Sequence, residues 1–264
     1  MVDENLTDLV INGSRAFALI EGGWRPIHLG LESAEVARLA VELCDEGGRH
    51  LDLANPFADV SVEGFRVHAV LPAGVSQQPL ISIRKHTSRT FAVTPELQEI
   101  VSTHKNFLVS GATGAGKTTL LRSMLAGSQE RVITIEDVAE LAFEQPNFVS
   151  LIARQANIEG RGELGVERLF REALRMRPDR IVLGEVRGAE FGLMLQALNT
   201  GHAGSAATLH ANSLEAVPQR LIGLGLLAGL NPETTATLAK TALDVVIHLE
   251  GGVSSIATVG ELFD

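Results

Sequence analysis

Residues 111–118 read Gly-Ala-Thr-Gly-Ala-Gly-Lys-Thr, and this octet constrains the fold more than any other stretch of the chain. The apolar run Phe-Leu-Val-Ser at 107–110 leads into it, and the helix-like Thr-Thr-Leu-Leu-Arg-Ser-Met-Leu at 118–125 leads out. Strand, glycine-rich turn and helix, with Gly111, Gly116, Lys117 and Thr118 at these spacings, match a phosphate-binding P-loop. Glycines let backbone N–H groups close around phosphate oxygens, and a helix N-terminus adds partial positive charge. Gly111, Thr113, Gly114, Ala115, Gly116, Lys117, Thr118 and Thr119 are therefore the expected nucleotide-binding set. The Lys117 ammonium faces phosphate, and the Thr118 hydroxyl is placed to ligate Mg²⁺. The expected ligands are a nucleoside triphosphate and Mg²⁺.

The rest of the chain must supply a scaffold for that loop. Its 264 residues allow one large domain or two modest ones, and 45% hydrophobic content allows a real core. Aromatics are only 4%, with one Trp and no Tyr, so the core must be mostly aliphatic. The formal charge of −10 argues against a chain-wide grip on nucleic acid, although a local basic groove stays compatible with it. The lone Cys44 can form neither an internal disulfide nor a Cys-rich zinc site, and fits a buried thiol in a reducing compartment. No charged stretch followed by an apolar one opens the chain, so no secretory signal is expected. The most apolar segment, residues 221–230, is about half of a bilayer span. A soluble protein is expected, with any membrane association made through a partner.

Two patterns divide the chain. Residues 7–30 alternate around Gly22-Gly23 as a hairpin would, and residues 31–46 carry a helical stripe of Val36, Leu39, Ala40, Leu43 and Cys44. Short strands follow around Val60 and Val62, around Phe65, Val67 and Ala69, and around Ile81 and Ile83. These form an α+β unit, domain 1–93. Period-two spacing puts Arg66 opposite Phe65 and Val67, and Arg84 opposite Ile83; the pattern alone favours an ordinary solvated face for both. Thr94-Pro95 then reads as an N-cap with proline at the first helical position. From there strands and helices alternate, which predicts a parallel sheet with crossover helices in domain 94–264. A helix start is expected at Asn212, and two strands around Gly251-Gly252 close the chain.

Binding alone needs no carboxylates, but hydrolysis does, and in a parallel sheet the useful positions are the carboxyl ends of strands. Two strands here finish in acids: residues 131–135 run into Glu136-Asp137, and residues 180–184 into Glu185. Four apolar or glycine residues before Glu185 and Val-Arg-Gly after it favour a functional carboxylate over a surface acid. Glu136 is less specific, because Glu-Asp after a strand can simply begin a helix. His202 and His210 flank a presumed strand and lack the i,i+4 spacing and cysteines of a zinc pair, so no metal site is expected there. They are either satisfied polar histidines or sensors of bound phosphate.

The ordered set of motifs resembles the type II/type IV secretion and pilus-assembly ATPase superfamily. The P-loop is residues 111–118, an aspartate box is Thr-Ile-Glu-Asp-Val-Ala-Glu-Leu at 134–141, and a Walker B segment is Ile-Val-Leu-Gly-Glu-Val-Arg at 181–187. A histidine box runs from Gly201-His202 to Thr-Leu-His-Ala-Asn at 208–212. Within that superfamily, residues 157–160, 174–179, 184–190 and 199–202 resemble the tight-adherence (Flp-type) pilus assembly ATPases. The resemblance covers roughly residues 50–250. It implies a RecA-like α/β domain with a parallel-rich sheet, preceded by a small α+β domain. It implies that Lys117 and Thr118 hold phosphates and Mg²⁺, that Glu185 activates water, and that Glu136 assists near it. His210, and His202 with it, would couple nucleotide state to conformation, and Arg66 and Arg84 would reach phosphates, the reverse of the solvated-face reading.

The implied assembly is a homo-oligomer, a hexameric ring with nucleotide between its domains, docked on an inner-membrane platform protein at the cytoplasmic face. That motor would drive pilus assembly or secretion; a nucleotide-gated scaffold and a DNA-transfer motor are the alternatives. Direct nucleic-acid binding is not expected. The four-cysteine zinc element of type II members is absent, the C-terminal motif associated with retraction enzymes is not evident, and the N-terminal extension is shorter than tight-adherence members usually carry.

Overall fold

The computed structural model describes residues 6–20, 22–85, 90–143, 145–156 and 161–263. Residues 157–160, one of the tight-adherence segments, lie outside it. The chain divides into two compact units, Met1–Ser88 with Arg154–Glu163, and Arg89–Ala153 with Leu164–Asp264.

The first unit is built from β1 (Leu6–Asn12), β2 (Arg15–Ile20), β3 (Gly23–Ile27), α1 (Ser33–Glu46), β4 (Phe57–Val62), β5 (Phe65–Val70) and β6 (Leu80–Lys85). Among the described residues its strands form one antiparallel sheet, ordered β3-β2-β1-β6-β5-β4. The stretch read as a hairpin is a three-stranded meander. Gly13, at φ +59, turns β1 into β2 after Asn12, and this second turn escaped the Gly22-Gly23 signal. Helix α1 starts with a capping box between Glu32 and Glu35 and lays Val36, Ala40 and Cys44 against Ala58, Val60, Val67 and Ile81 of the sheet. Burial pushes the Cys44 thiol up to about 11, so it stays protonated in this core.

The second unit opens with α2 (Pro95–Ser102), where the Thr94 hydroxyl caps the Leu97 N–H and proline occupies the first turn. It continues with β7 (Phe107–Gly111), α3 (Lys117–Leu125), β8 (Val132–Glu136), β9 (Phe148–Ile152), α4 (Val166–Ala173), β10 (Arg180–Leu183), α5 (Glu190–Leu198) and β11 (Ala206–His210). Helices α6 (Val217–Leu227) and α7 (Pro232–Ala242), strands β12 (Val245–Leu249) and β13 (Val253–Thr258), and the single-turn α8 (Val259–Leu262) complete it. Its sheet runs β13-β12-β7-β11-β10-β8-β9, parallel throughout except for the antiparallel β13 at one edge. Both faces are covered, as a parallel sheet requires. Leu97, Ile100, Leu120, Leu121 and Leu125 of α2 and α3 pack on one face; Phe170, Phe191, Leu195, Leu221 and Ala239 of α4 to α7 pack on the other.

Three local expectations change. Helix α6 begins at Val217 after Ala216, not at Asn212; residues 212–216 form turns, and Pro218 falls in the first helical turn, where its missing N–H costs nothing. Strand β13 ends at Thr258, whose hydroxyl accepts from the Glu261 N–H and starts α8, so the chain does not end in strand. Strand β9 and helix α7 were not anticipated, although Asn231 caps α7 from a plain Asn-Pro-Glu sequence. Among the described residues, Arg180 places a cation in the interior. Arg180, at the start of β10, is 1% exposed; its Nη atoms donate to Gly204 O at 2.8 Å and Val101 O at 2.7 Å, and Nε pairs with Glu130. Burial alone would raise the Glu130 carboxyl, but the guanidinium overrides it and holds the group below its usual range.

Candidate nucleotide site

Strands β7, β11, β10 and β8 are neighbours and run parallel, so their carboxyl ends share one edge of the sheet. The P-loop leaves β7 at Gly111, His210 ends β11, Glu185 lies two residues beyond β10, and Glu136 ends β8. Four segments far apart in sequence are thereby lined up along one edge.

At the P-loop the chain turns sharply into α3. Gly116 caps the helix at φ +93, and a Cβ there would also sit 2.9 Å from the Phe91 ring, so glycine is required twice over. Thr113 and Gly114 are exposed at the loop tip, Ala115 donates its N–H to Ala112 O at 3.2 Å, and Thr118 and Thr119 lie in the first turn of α3. Lys117 Nζ donates to Gly111 O at 3.0 Å and Ala112 O at 2.8 Å. Burial lowers the Lys117 pKa, while the negative charges of Glu185 and Glu140 pull the other way. A helix N-terminus joined to this ammonium is the polarity that phosphate needs, so the residues present fit a nucleoside triphosphate. His210 stands beside Gly111 in the β11–β7 ladder, and its Nδ1 lies 3.5 Å from Thr113 Oγ1, the outer edge of hydrogen-bonding range.

Glu136 is 4% exposed. Its Oε1 accepts from the N–H groups of Glu140 (3.1 Å) and Leu141 (3.0 Å), while its buried Oε2 has no protein partner. Its side chain lies across Gly184, where a Cβ would come within 2.7 Å of Glu136 Cγ. The glycine before Glu185 is thus a close-approach residue: a side chain at 184 would displace Glu136. Burial pushes the Glu136 carboxyl from its ordinary 4.5 up to about 7; the two N–H donors act against this, and the Glu140 charge adds to it.

That shift has a thermodynamic consequence. A carboxyl raised in the folded state contributes stability below about pH 4.5 and loses it as pH climbs through about 7. The span from 4.5 to about 7 corresponds to roughly 3 kcal/mol. Glu136→Gln has nothing to titrate there. Urea unfolding at pH 5 and pH 8 is expected to show the variant gaining on the wild type by a large part of that amount at the higher pH. An equal difference at both pH values would mean that Glu136 titrates normally.

Glu185 is half-buried and pairs with Arg187, Oε2 lying 2.8 Å from Nε and 2.5 Å from Nη2. Glu190 accepts the N–H groups of Arg187 (2.6 Å) and Gly188 (2.7 Å) on Oε1, tying down the turn after Glu185. Sequence reasoning assigned no role to Arg187, Glu190 or Thr208. The visible trace of Thr208 is a single hydroxyl in the small and apolar run Ala206-Ala-Thr-Leu.

The other candidates are not carried by these four strand ends. His202 precedes β11, so the length of that strand, about 15 Å at ~3.3 Å per residue, separates it from the edge that carries His210. Its Nδ1 is 3.3 Å from Ala197 O, and the residue lines a small apolar cavity together with Phe170, Met194 and Leu198. His202 is therefore not brought together with the P-loop. Arg66 and Arg84 belong to the first unit and are direct cross-strand partners on β5 and β6. Each has an acid beside it: Asp59 takes Arg66 Nη2 at 2.7 Å and Nε at 3.1 Å, and Asp8 takes Arg84 Nε at 2.8 Å. Like charges placed opposite one another repel, and the two aspartates offset that cost. Among the described residues no group of His, Cys, Asp and Glu has the arrangement of a metal cluster, and no helix is long and apolar enough to cross a membrane.

Comparison with known proteins places the chain in a family. Residues 75–251 match the family model described as type II/IV secretion system protein. A putative conjugal transfer protein of Mycobacterium tuberculosis is 45% identical over 240 residues, 83% of this chain and 68% of the relative. The type IV secretion system protein VirB11 of Bartonella henselae is 32% identical over 265 residues, 80% of this chain and 74% of that protein. The crystal structure of the VirB11 ATPase of Brucella suis shares the fold with a TM-score of 0.55 at 24% identity, over 97% of this chain and 93% of that one. The chain is a P-loop ATPase of the type II/IV secretion system protein family.

Proposed function

We propose that this chain hydrolyses Mg²⁺-ATP as a ring-forming motor, a hexamer, that drives pilus assembly or secretion from an inner-membrane platform protein. The observation that carries this reading is the shared edge where the P-loop, His210, Glu185 and Glu136 meet at adjacent parallel strand ends. In this mechanism the loop N–H groups and Lys117 hold the phosphates, and Thr118 would hold Mg²⁺, which would supply positive charge to offset that of the phosphates. Glu185 orients water and takes up its proton, Glu136 assists from its buried position over Gly184, and His210 reports loop state through Thr113. Arg66 and Arg84 are the paired cations assigned to charge developing on the phosphates. His202 is left out, because it lies at the opposite end of β11.

The tight-adherence reading rests on the resemblance of residues 157–160, 174–179, 184–190 and 199–202. A role in conjugative transfer is the second reading, favoured by the name of the M. tuberculosis relative. The formal charge of −10 points to handling such cargo through protein partners and not by gripping DNA. Native mass measurement with a non-hydrolysable ATP analogue tests the motor reading. A particle of about 170 kDa, six copies of 28.1 kDa, is expected, and a strict monomer at micromolar concentration would overturn the ring.

A further inference from the structure

Thr208 makes contacts that neither the P-loop chemistry nor the strand ladder requires. It is 1% exposed in β11, beside the last ladder pair between β10 and β11, Leu183 with Ala207. Its Oγ1 donates to Gly184 O at 2.5 Å, and its own carbonyl accepts the Val186 N–H at 2.9 Å. Gly184 O belongs to the peptide group on the amino side of the Glu185 Cα, and the Val186 N–H to the peptide group on its carboxyl side. A peptide group is planar, so holding both fixes φ and ψ of Glu185, and with them the direction of its Cα–Cβ bond. The third contact, Gly184 N–H to Ile135 O at 2.9 Å, ties the same peptide chain to β8 from the other side.

We infer that Thr208 is a positioning residue for ATP hydrolysis, clamping the backbone on both sides of Glu185 so that its carboxylate is aimed at the reacting water. The inference rests on Glu185 being the water-orienting carboxylate. It also gives β11 a mechanical role. Two residues beyond Thr208, the same strand presents His210 to Thr113 of the P-loop. A shift of β11 along the sheet would therefore move the loop contact and re-aim Glu185 together.

The test compares Thr208→Val, which replaces the hydroxyl with a methyl group, with Thr208→Ser, which keeps it. Thr208→Val is expected to lower kcat roughly tenfold or more with KM for ATP within about twofold, because misplacing a catalytic group affects the reacting geometry more than ground-state binding. Thr208→Ser is expected to keep kcat within about threefold of wild type. If Thr208→Val is insoluble, Thr208→Ala against Thr208→Ser asks the same question, since those two differ by one hydroxyl. Glu185→Gln is measured alongside. Loss of turnover in Glu185→Gln with normal kcat in Thr208→Val, or equal losses in the Ser and Ala variants, would overturn the positioning role and leave the Glu185 reading standing. Full turnover in Glu185→Gln would remove the reading beneath it, and the positioning role with it.

Discussion

Glu185→Gln is expected to lower ATP turnover on the order of a thousandfold while ATP affinity stays within about twofold, the middle of the range for a lost general base or water-orienting group. The substitution is close to isosteric and retains an oxygen that can accept from Arg187, so the turn held by Glu190 has no reason to move. What disappears is the negative charge and the capacity to accept a proton from water. Glu185 lies beyond β10 and not in the P-loop, so the groups that grip the phosphates are left as they are. Steady-state phosphate release and equilibrium binding of a fluorescent ATP analogue measure the two quantities separately. Unchanged phosphate release would remove Glu185 from the mechanism.

Lys117→Ala is expected to produce the opposite division, with binding lost first. An ammonium near a phosphate oxygen at about 4 Å interacts by roughly 4 kcal/mol at an effective dielectric of about 20. Lys117 is only partly buried and solvent screens it, so about 2 kcal/mol is the appropriate figure, on the order of 30-fold in Kd. The α3 dipole and the loop N–H groups remain, which is why weak binding should persist. The lysine also bridges the carbonyls of Gly111 and Ala112, so the variant loses a brace of the loop as well as a charge. Isothermal titration with ATP, with circular dichroism to verify the fold, checks the expectation. Wild-type affinity would show that the octet does not hold phosphate through this side chain.

Much of the site was legible because its chemistry is written in short spacings. The octet at 111–118 carries its own loop geometry, and acids directly after apolar strand segments mark carboxyl ends wherever those strands are placed. Thr94-Pro95 was legible for the same reason, since a cap acts over three residues. The failures have physical causes too. The Gly13 turn was hidden by a better glycine pair downstream. Helix α6 starts four residues later than a cap at Asn212 suggested, because a plausible local cap does not oblige the chain to use it. Strand β9 is only partly buried along its length, so its hydrophobic signal was weak.

Strand order is another matter. Nothing in the residues says that β11 lies between β7 and β10, and that order puts His210 beside Gly111 and Thr208 beside Gly184. Likewise, Arg66 and Arg84 could be proposed as a pair from resemblance, but only the antiparallel register of β5 with β6 makes them neighbours, each with its aspartate. Local spacing was enough to mark a candidate phosphate-binding loop, to predict a parallel α/β unit and to single out two acids at strand ends. Tertiary structure decided which strand ends adjoin, that Glu136 is buried across Gly184 with a raised pKa, that His202 stays apart, and that Thr208 holds both peptides around Glu185. The reason is one of range. Turns, caps and loop conformations depend on contacts within a few residues, whereas sheet order and desolvation depend on which distant segments bury one another's surface.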